Sequence, residues 1–232
     1  RDAYGKIEPG DSGFDDGFTE TDNYLTFRGD PIVLPKPDIE KLSSVDIPFS
    51  QILERRRSRR RTPSTPLTLN TLGEFLFRSA RIVKREENPA LGPWRPFASA
   101  AALNDLDIFL NVVNCGGLEP GLYRYQGFKH TLEPIKANLE VLRRLESFSG
   151  TEQLGVHILI TARFGKMNCR YDSIAYSLVL RNVGCLIQTM YLVATALDRA
   201  PCAIGAGDAD AFAKITGLPY ELQGSVGDFV LR

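Results

Sequence analysis

Histidine and cysteine are scarce in this chain of 232 residues, which has two histidines and four cysteines. The cysteines are Cys115, Cys169, Cys185 and Cys202. No two of them form a Cys-X-X-Cys pair, and only His130 and His157 are available to complete a metal site, so we expect no metal. The spacing does not suggest a disulfide framework either. We expect a reduced, cytoplasmic protein without a signal peptide or membrane anchor.

An excess of either charge is also lacking, because 28 Lys and Arg balance 28 Asp and Glu. A chain without a basic excess has no global field that attracts nucleic acid or an anionic membrane, and we expect neither as a partner. The charges are nevertheless segregated. Residues 1–30 hold eight acidic and three basic residues, whereas residues 55–61 hold six arginines in seven positions.

A hydrophobic run long enough to cross a membrane is missing as well. The longest candidate, residues 183–197, has 15 positions, fewer than the roughly 20 that a bilayer requires. It belongs to a proline-free segment, residues 170–197, whose polar side chains recur with a helical period. These side chains are Ser177, Arg181, Gln188 and Thr195. Because the segment is otherwise apolar nearly all round, we predict a long helix buried at the centre of the core.

The remaining pattern predicts one α+β domain over residues 48–232, in which helices wrap a small sheet. Helices are expected at residues 50–61, 71–83, 136–146 and 208–216. Strands are expected at residues 106–114, 122–126, 131–135, 154–162, 200–205 and 224–231. The strand at 154–162 is apolar on both faces and is predicted to be central. Residues 88–98 contain three prolines and are expected to be loop.

Residues 1–47 are expected to form an extended N-terminal arm. The first 38 are rich in Gly, Asp, Pro and Thr, a composition typical of a flexible lead. They also contain scattered aromatic residues, which suit an arm that lies on a neighbouring subunit. Both interpretations remain open from the composition.

Three clusters could carry chemistry. The arginine run contains Ser58, and guanidinium groups beside a hydroxyl suit a phosphate, although a solvated face is an equal alternative. Residues 95–104 combine small side chains with a hydroxyl and an amide, which allow a flat ligand to approach the backbone, or they are simply an alanine-rich helix start. The turn with Gly205 and Gly207 precedes a helix and can offer backbone N–H groups to an anion or a ring.

Five segments in this order resemble the SagB-type dehydrogenases, which include the thiazoline and oxazoline oxidases of peptide natural-product pathways. The segments are RRS-x-R at residues 56–60, RPFASAAALNDLDIFL at 95–110, GLYRY at 121–125, residues 170–208, and SVGDFVL at 225–231. These enzymes are FMN-dependent members of the nitroreductase superfamily. The resemblance covers roughly residues 48–232 and is specific because all five segments agree in order.

The resemblance implies a nitroreductase-like α+β fold, with a mixed or antiparallel sheet around the long helix. It also implies a homodimer, or a related heterodimer, with FMN at the subunit interface. The residues that match the cofactor contacts are Arg56, Ser58, Arg60, Ser99, Ala101, Gly205 and Gly207. The terminal Arg232 falls where related chains often have glycine or a basic residue, and we give it little weight.

Arg170 and Tyr171 match a Lys-Tyr pair that the azoline oxidases use in catalysis. The change from lysine matters, because arginine stays charged in any protein and cannot act as a general base. Arg170 is therefore expected to hold a carbonyl or stabilise negative charge. Tyr171 or a water is left to take the proton, although Tyr171 could equally cap the core helix.

The implied reaction is the FMN-dependent oxidation of a thiazoline or oxazoline in a modified peptide to the aromatic azole. Two alternatives stay open. The chain could be a flavin oxidoreductase that acts on another secondary-metabolite intermediate, or a catalytically impaired subunit that supports other enzymes of a biosynthetic complex. A nucleic-acid-binding function based on the arginine run would account for one of the five segments and leave the other four unexplained.

Overall fold

The structure is a computed structural model that describes residues 20–61, 63–83, 93–148 and 154–232. In this part of the chain, seven strands form one sheet, and every strand pairing in it is antiparallel. The strands are β1 (Ile32–Val33), β2 (Leu106–Val112), β3 (Gly121–Gln126), β4 (Thr131–Ile135), β5 (Val156–Arg163), β6 (Pro201–Ile204) and β7 (Gln223–Leu231). Their order across the sheet is β1-β4-β3-β2-β5-β7-β6. The predicted α+β class is confirmed.

The helices in the described ranges are α1 (Ile39–Val45), α2 (Phe49–Arg55), α3 (Leu69–Ala80), α4 (Leu139–Phe148), α5 (Phe164–Asn168), α6 (Ala175–Ala196) and α7 (Ala209–Thr216). Their ends follow from local capping. The Thr68 hydroxyl accepts a hydrogen bond from the N–H of Thr71 at the start of α3. The Asp208 carboxylate caps α7 in the same way, and Gly217, with φ of 73°, ends that helix in the left-handed conformation.

Helices cover both faces of the sheet. On one face, Ile158 of β5 and Phe229 of β7 share a core with α3 and α6. On the other face, Phe109 and Leu159 pack with α4 and α7. All eight residues of β5 are buried, as expected for a strand with apolar side chains on both faces.

The helix predicted for residues 50–61 is shorter than expected. α2 ends at Arg55, and the arginine-rich residues that follow form neither helix nor strand. The backbone N–H of Arg59 donates to the carbonyl of Pro201 at 2.8 Å, so the segment is tied to the edge strand β6. This tertiary hydrogen bond outweighs the helix propensity of arginine.

The prediction of a wholly buried central helix is wrong for one side of α6. The helix begins at Ala175, and one face of it packs on the sheet with Val179, Leu186 and Met190. The opposite side is exposed and includes apolar residues, with Tyr176 at 53% and Leu180 at 45% exposure. By length and composition α6 could also cross a membrane, but its buried face packs in the core of the sheet. A solvent-exposed apolar stripe on a core helix is typical of a surface that another protein covers.

The described part of the N-terminal arm, residues 20–47, contacts its own chain. The N–H of Arg28 donates to the carbonyl of Pro134 at 2.9 Å, and Arg124 forms an ion pair with Asp22. β1 then pairs with β4 at the sheet edge. Residues 1–19 lie outside the described residues, and an arm that reaches a neighbouring subunit stays a prediction.

Candidate functional site

The residues of the RRS-x-R motif are held against the C-terminal half of α6. The Ser58 hydroxyl lies 2.7 Å from the hydroxyl of Tyr191, which also accepts a hydrogen bond from the N–H of Ala203 at 2.8 Å. The Arg56 guanidinium lies over the ring of Tyr191, 5.2 Å from its centroid. Tyr191 therefore joins the motif to β6, the strand that leads to Gly205 and Gly207.

Arg232, which received little weight from the sequence, lies beside the same segment. Its side chain is almost fully buried, and its Nη1 donates to the carbonyl of Arg59 at 3.3 Å. Burial lowers the pKa of Arg232, and the charge of Arg60 lowers it further, while Cys202 raises it. Two guanidinium groups thus converge from positions 172 residues apart. Sequence spacing gave no signal for this proximity; the only clue was a basic residue after an apolar strand.

The loop with Ser99 and Ala101 is strained. Ala101, Ala102 and Asn104 have φ values of 51°, 53° and 49°, in the left-handed region that disfavours residues other than glycine. Strain of this kind persists only where the surroundings impose it, and it is concentrated at functional sites. The alanine-rich helix start is reduced to a short 3-10 turn at Ala100–Ala102.

A buried polar network imposes this loop conformation. The side chain of Asn182 on α6 accepts a hydrogen bond from the N–H of Ala100 and donates to Asp105, both at 2.9 Å. Asp105 is fully buried, and burial raises its pKa. Arg95 donates to Asn104 at 2.6 Å, and burial lowers the pKa of Arg95 to about 10. The network fixes the loop to the middle of α6.

Gly207 of the glycine turn lies against the buried side chain of Asp228. A Cβ atom added at Gly207 would lie 2.7 Å from the Cγ of Asp228, so glycine is required there, whereas the position of a Cβ at Gly205 is open. Asp228 is buried and lies 2.8 Å from the Nε2 of His157 on β5. The sequence analysis did not find Asp228 and His157, because their partnership depends on strand register.

Arg170 and Tyr171 lie in the turn between α5 and α6. The N–H of Tyr171 donates to the carbonyl of Met167 at 2.8 Å, and the half-buried Tyr171 side chain packs against the main core. Nearby, Phe164 lies 5.4 Å from Tyr220 and 6.2 Å from Tyr176 by ring centroids. The pair therefore stands beside a partly exposed group of aromatic rings at the N-terminal end of α6.

Two of the three candidate clusters, the arginine run and residues 95–104, and also the Arg170–Tyr171 pair, are positioned by α6. Tyr191 holds the arginine motif near its C-terminal end, Asn182 holds the strained loop, and the Arg170–Tyr171 turn precedes its first residue. At about 1.5 Å per residue, Asn182 and Tyr191 are separated by roughly 13 Å along the helix axis. Among the described residues, no group of three or more His, Cys, Asp or Glu side chains could hold a metal ion.

The sequence matches known families of proteins. A family described as "Nitroreductase family" matches residues 119–227. The protein MJ1384 of Methanocaldococcus jannaschii, whose assigned name is that of a nitroreductase, is 29% identical over 183 residues. The match covers 77% of this chain and 86% of that protein.

Solved structures share the fold. A protein of Ralstonia eutropha assigned to the nitroreductases superposes with a TM-score of 0.66 at 20% identity, over 87% of this chain and 88% of that one. The E. coli microcin synthetase McbBCD complex, solved with truncated pro-MccB17 bound, has a chain with a TM-score of 0.61 at 20% identity. That match covers 81% of this chain and 73% of the other. The chain therefore has the nitroreductase-like fold, and residues 119–227 are similar in sequence to the nitroreductase family.

Proposed function

We propose that the chain is an FMN-dependent dehydrogenase that oxidises thiazoline or oxazoline rings of a modified peptide to azoles. The observation that carries the proposal is the contact of Arg56 and Ser58 with Tyr191, together with the buried Arg232, which donates to the carbonyl of Arg59 and is affected by the charge of Arg60. This arrangement combines several forked cationic donors with a hydroxyl, the chemistry that recognises a terminal phosphate.

The electrostatics of this cluster fit the FMN phosphate. Burial is the main cause of the lowered pKa of Arg232, and the charge of Arg60 lowers it further because the two guanidinium groups repel one another. A dianionic phosphate between them would relieve that repulsion and accept hydrogen bonds from both. Ser58 is already oriented by Tyr191 and would supply a further hydroxyl donor or acceptor.

The ring of FMN is assigned to the strained loop and the glycine turn. Ser99 and Ala101 would pack on one side of the ring, and Gly205 and Gly207 would approach the other. The exposed apolar face of α6 supports a dimer, in which elements of two subunits line each cofactor site. The partner is proposed to be a second copy or a related chain.

In the proposed reaction, bound FMN supplies the hydride acceptor. Tyr171 takes the carbon-bound proton of the azoline through its phenolic oxygen, directly or through a water. The guanidinium of Arg170 would stabilise negative charge on the substrate. Main-chain and aromatic contacts around this turn would orient the peptide.

The peptide substrate is supported by structural likeness to a chain of the McbBCD complex, whose structure includes a truncated pro-peptide. A second candidate is favoured by Arg170 itself. Arginine at the position of the catalytic lysine is the change expected in a subunit that keeps the fold and supports an active partner. A flavin oxidoreductase with a small-molecule substrate is the third option and would retain FMN.

The test begins with FMN binding, measured by flavin absorbance after gel filtration and by titration. The native chain should retain FMN, and Arg56→Gln should weaken its binding about tenfold, the effect of losing one charged hydrogen bond. Arg143→Gln, an exposed change on α4, is the matched control. A chain that rejects FMN would overturn the proposal.

Turnover then separates the candidates that retain FMN. An azoline-containing peptide should be oxidised by the native chain, and Tyr171→Phe should reduce the rate about a hundredfold while FMN binding is unchanged. Arg170→Lys should raise turnover if arginine impairs the site. No turnover by the native chain but strong turnover by Arg170→Lys would favour the supporting subunit. Turnover of small reducible compounds without peptide oxidation would favour the third option.

A further inference from the structure

The arginine run also lines a cavity on its other side. The cavity has a volume of about 250 Å³ and lies between the segment after α2 and the turn from α6 to β6. The residues that line it are Ile47, Arg55, Arg57, Arg59, Thr195, Ala196, Asp198 and Arg199. Neither Arg56, Ser58 nor Arg60 is among them.

The arginines divide alternately between the two sides of the segment, which is the pattern that an extended backbone produces because its successive side chains point to opposite sides. Ser58 and Arg56 contact Tyr191, whereas Arg57 and Arg59 line the cavity. The hydrogen bond from the N–H of Arg59 to Pro201 fixes the register, so the two sets cannot exchange places without breaking it. Arg55, Arg57 and Arg59 therefore form a cationic surface separate from that of Arg56.

The cavity carries an excess of positive charge. It is lined by four arginines and one carboxylate, Asp198, which pairs with Arg59 at 2.8 Å. Arg199 is buried and donates to the carbonyls of Thr65, at 2.8 Å, and Leu197, at 3.2 Å. Burial lowers the pKa of Arg199, and Arg59 lowers it further, against the opposing effect of Asp198. Backbone carbonyls thus fix a buried guanidinium whose charge they do not neutralise.

We propose that this cavity binds a multiply charged phosphate group, such as a pyrophosphate, at a site separate from that of the FMN phosphate. Asp198 balances the charge of one of the four lining arginines. A ligand with one carboxylate would leave most of the positive charge of the other three unbalanced. Tetrahedral phosphate oxygens match the forked donors of guanidinium groups. The volume admits a small anion or the phosphate end of a larger ligand, and it is below the range of sites that enclose a whole drug-sized molecule.

The site is independent of the proposed oxidation chemistry. Its residues project from the face of the segment opposite to the Ser58–Tyr191 contact, and Arg199 belongs to the turn after α6. Loss of a ligand here should leave FMN binding intact, and loss of FMN binding should leave this site intact. Reciprocal variants can therefore test each claim separately.

The experiment is calorimetric titration of the full chain with inorganic pyrophosphate in the presence of saturating FMN, so that the Arg56 face is blocked. The native chain should bind pyrophosphate, and Arg57→Gln should weaken the binding about tenfold, as expected for one lost charge-assisted contact. Arg55→Gln should also weaken the binding of pyrophosphate. Arg143→Gln is the control of equal charge change and should have no effect. ADP in place of pyrophosphate distinguishes a nucleotide from the inorganic anion as the source of the group.

The outcomes are separable. Arg57→Gln should weaken pyrophosphate but not FMN binding, and Arg56→Gln should do the reverse. If the chain does not bind FMN, the same titration on Arg56→Gln still reports on the cavity alone. Absence of pyrophosphate binding, or binding that Arg57→Gln leaves unchanged, would overturn the proposal. Binding of a poly-glutamate peptide without binding of pyrophosphate would also overturn it, in favour of an acidic protein segment.

Discussion

At the scale of the residue, Gly207 shows how tightly the candidate site is built. Its α-carbon packs against the carboxylate of Asp228, which cannot move aside without leaving His157. We predict that Gly207→Ala lowers the free energy of unfolding by about 1–3 kcal/mol, the usual cost of overpacking a buried site. Gly205→Ala, where the space is open, should change it by less than about 1 kcal/mol. Urea denaturation measures both.

A double variant separates overlap from other causes. Asp228→Ala removes the atoms that the new methyl group of Gly207→Ala would meet. The double variant should therefore lose less free energy of unfolding than the sum of the losses in the two single variants. Equal destabilisation by Gly207→Ala and Gly205→Ala would show that the Asp228 carboxylate does not restrict this turn.

His130 gives the fold a dependence on pH. Its Nδ1 lies 2.8 Å from the Tyr125 hydroxyl and its Nε2 lies 3.1 Å from the carbonyl of Pro35. Burial lowers the pKa of His130, the Pro35 hydrogen bond partly opposes this, and Lys36 lowers it further. Because the unfolded chain binds the proton more readily, this contribution to stability is present above about pH 6.5 and is lost as the pH falls through the folded-state pKa.

We therefore expect the thermal midpoint to fall when the pH is lowered from about 8 to about 5.5. The fall should be smaller in His130→Gln, which has no group to protonate in that interval. Scanning calorimetry or circular dichroism at a series of pH values measures the two curves. Parallel curves for the native chain and the variant would contradict the assignment to His130.

Some site residues could be predicted from the sequence and others could not. Ser58 and the flanking arginines are adjacent in the chain and carry a motif, so a joint role in phosphate binding could be predicted and stays a prediction. Arg232 received little weight, and Asp228 and His157 were not found. Their roles depend on contacts between strands distant in sequence, and no local pattern reports strand register.

At the scale of the element, α6 has one face in the core and one exposed face with apolar side chains. We predict that Leu180→Glu disrupts a dimer while the monomer stays folded, because Leu180 is 45% exposed and a buried unpaired charge opposes association. Analytical ultracentrifugation measures the oligomeric state. Val33→Glu, at an exposed position on the edge strand β1, is the control. Identical dimer content in both variants would exclude this face of α6 as the interface.

The elements were predictable where local pattern and tertiary context agree. β2, β4, β5 and β7 were expected within two residues at each end, because they are rich in β-branched and apolar residues and bounded by turns. α6 was predicted to be too deeply buried because a sequence cannot distinguish an apolar side chain that packs in the core from one that stays exposed. The end of α2 was misplaced because the backbone after the helix forms a hydrogen bond with β6.

At the scale of the whole molecule, folding, cofactor binding and association should be linked. If FMN binds only the folded dimer, the thermal midpoint should rise with protein concentration and with FMN. At a free FMN concentration of about 100 times its Kd, the gain is about 2.7 kcal/mol per site. Differential scanning fluorimetry over a range of both concentrations tests this. Arg56→Gln should need about ten times more FMN for the same shift.

A chain without the expected linkage would behave differently. A midpoint that is independent of protein concentration would indicate that the subunit is stable alone. A midpoint that responds to protein concentration but not to FMN would indicate association without the cofactor, as a supporting subunit requires.

The two-sided segment after α2 imposes a parity rule on any change in its length. If one residue between Arg56 and Pro63 were removed, each guanidinium group after the deletion would face the opposite side of the segment, and ligand binding on both sides would change together. If two residues were removed, the side chains would face their original sides and the segment would only be shorter. Natural variants of this stretch should therefore differ in length by even numbers.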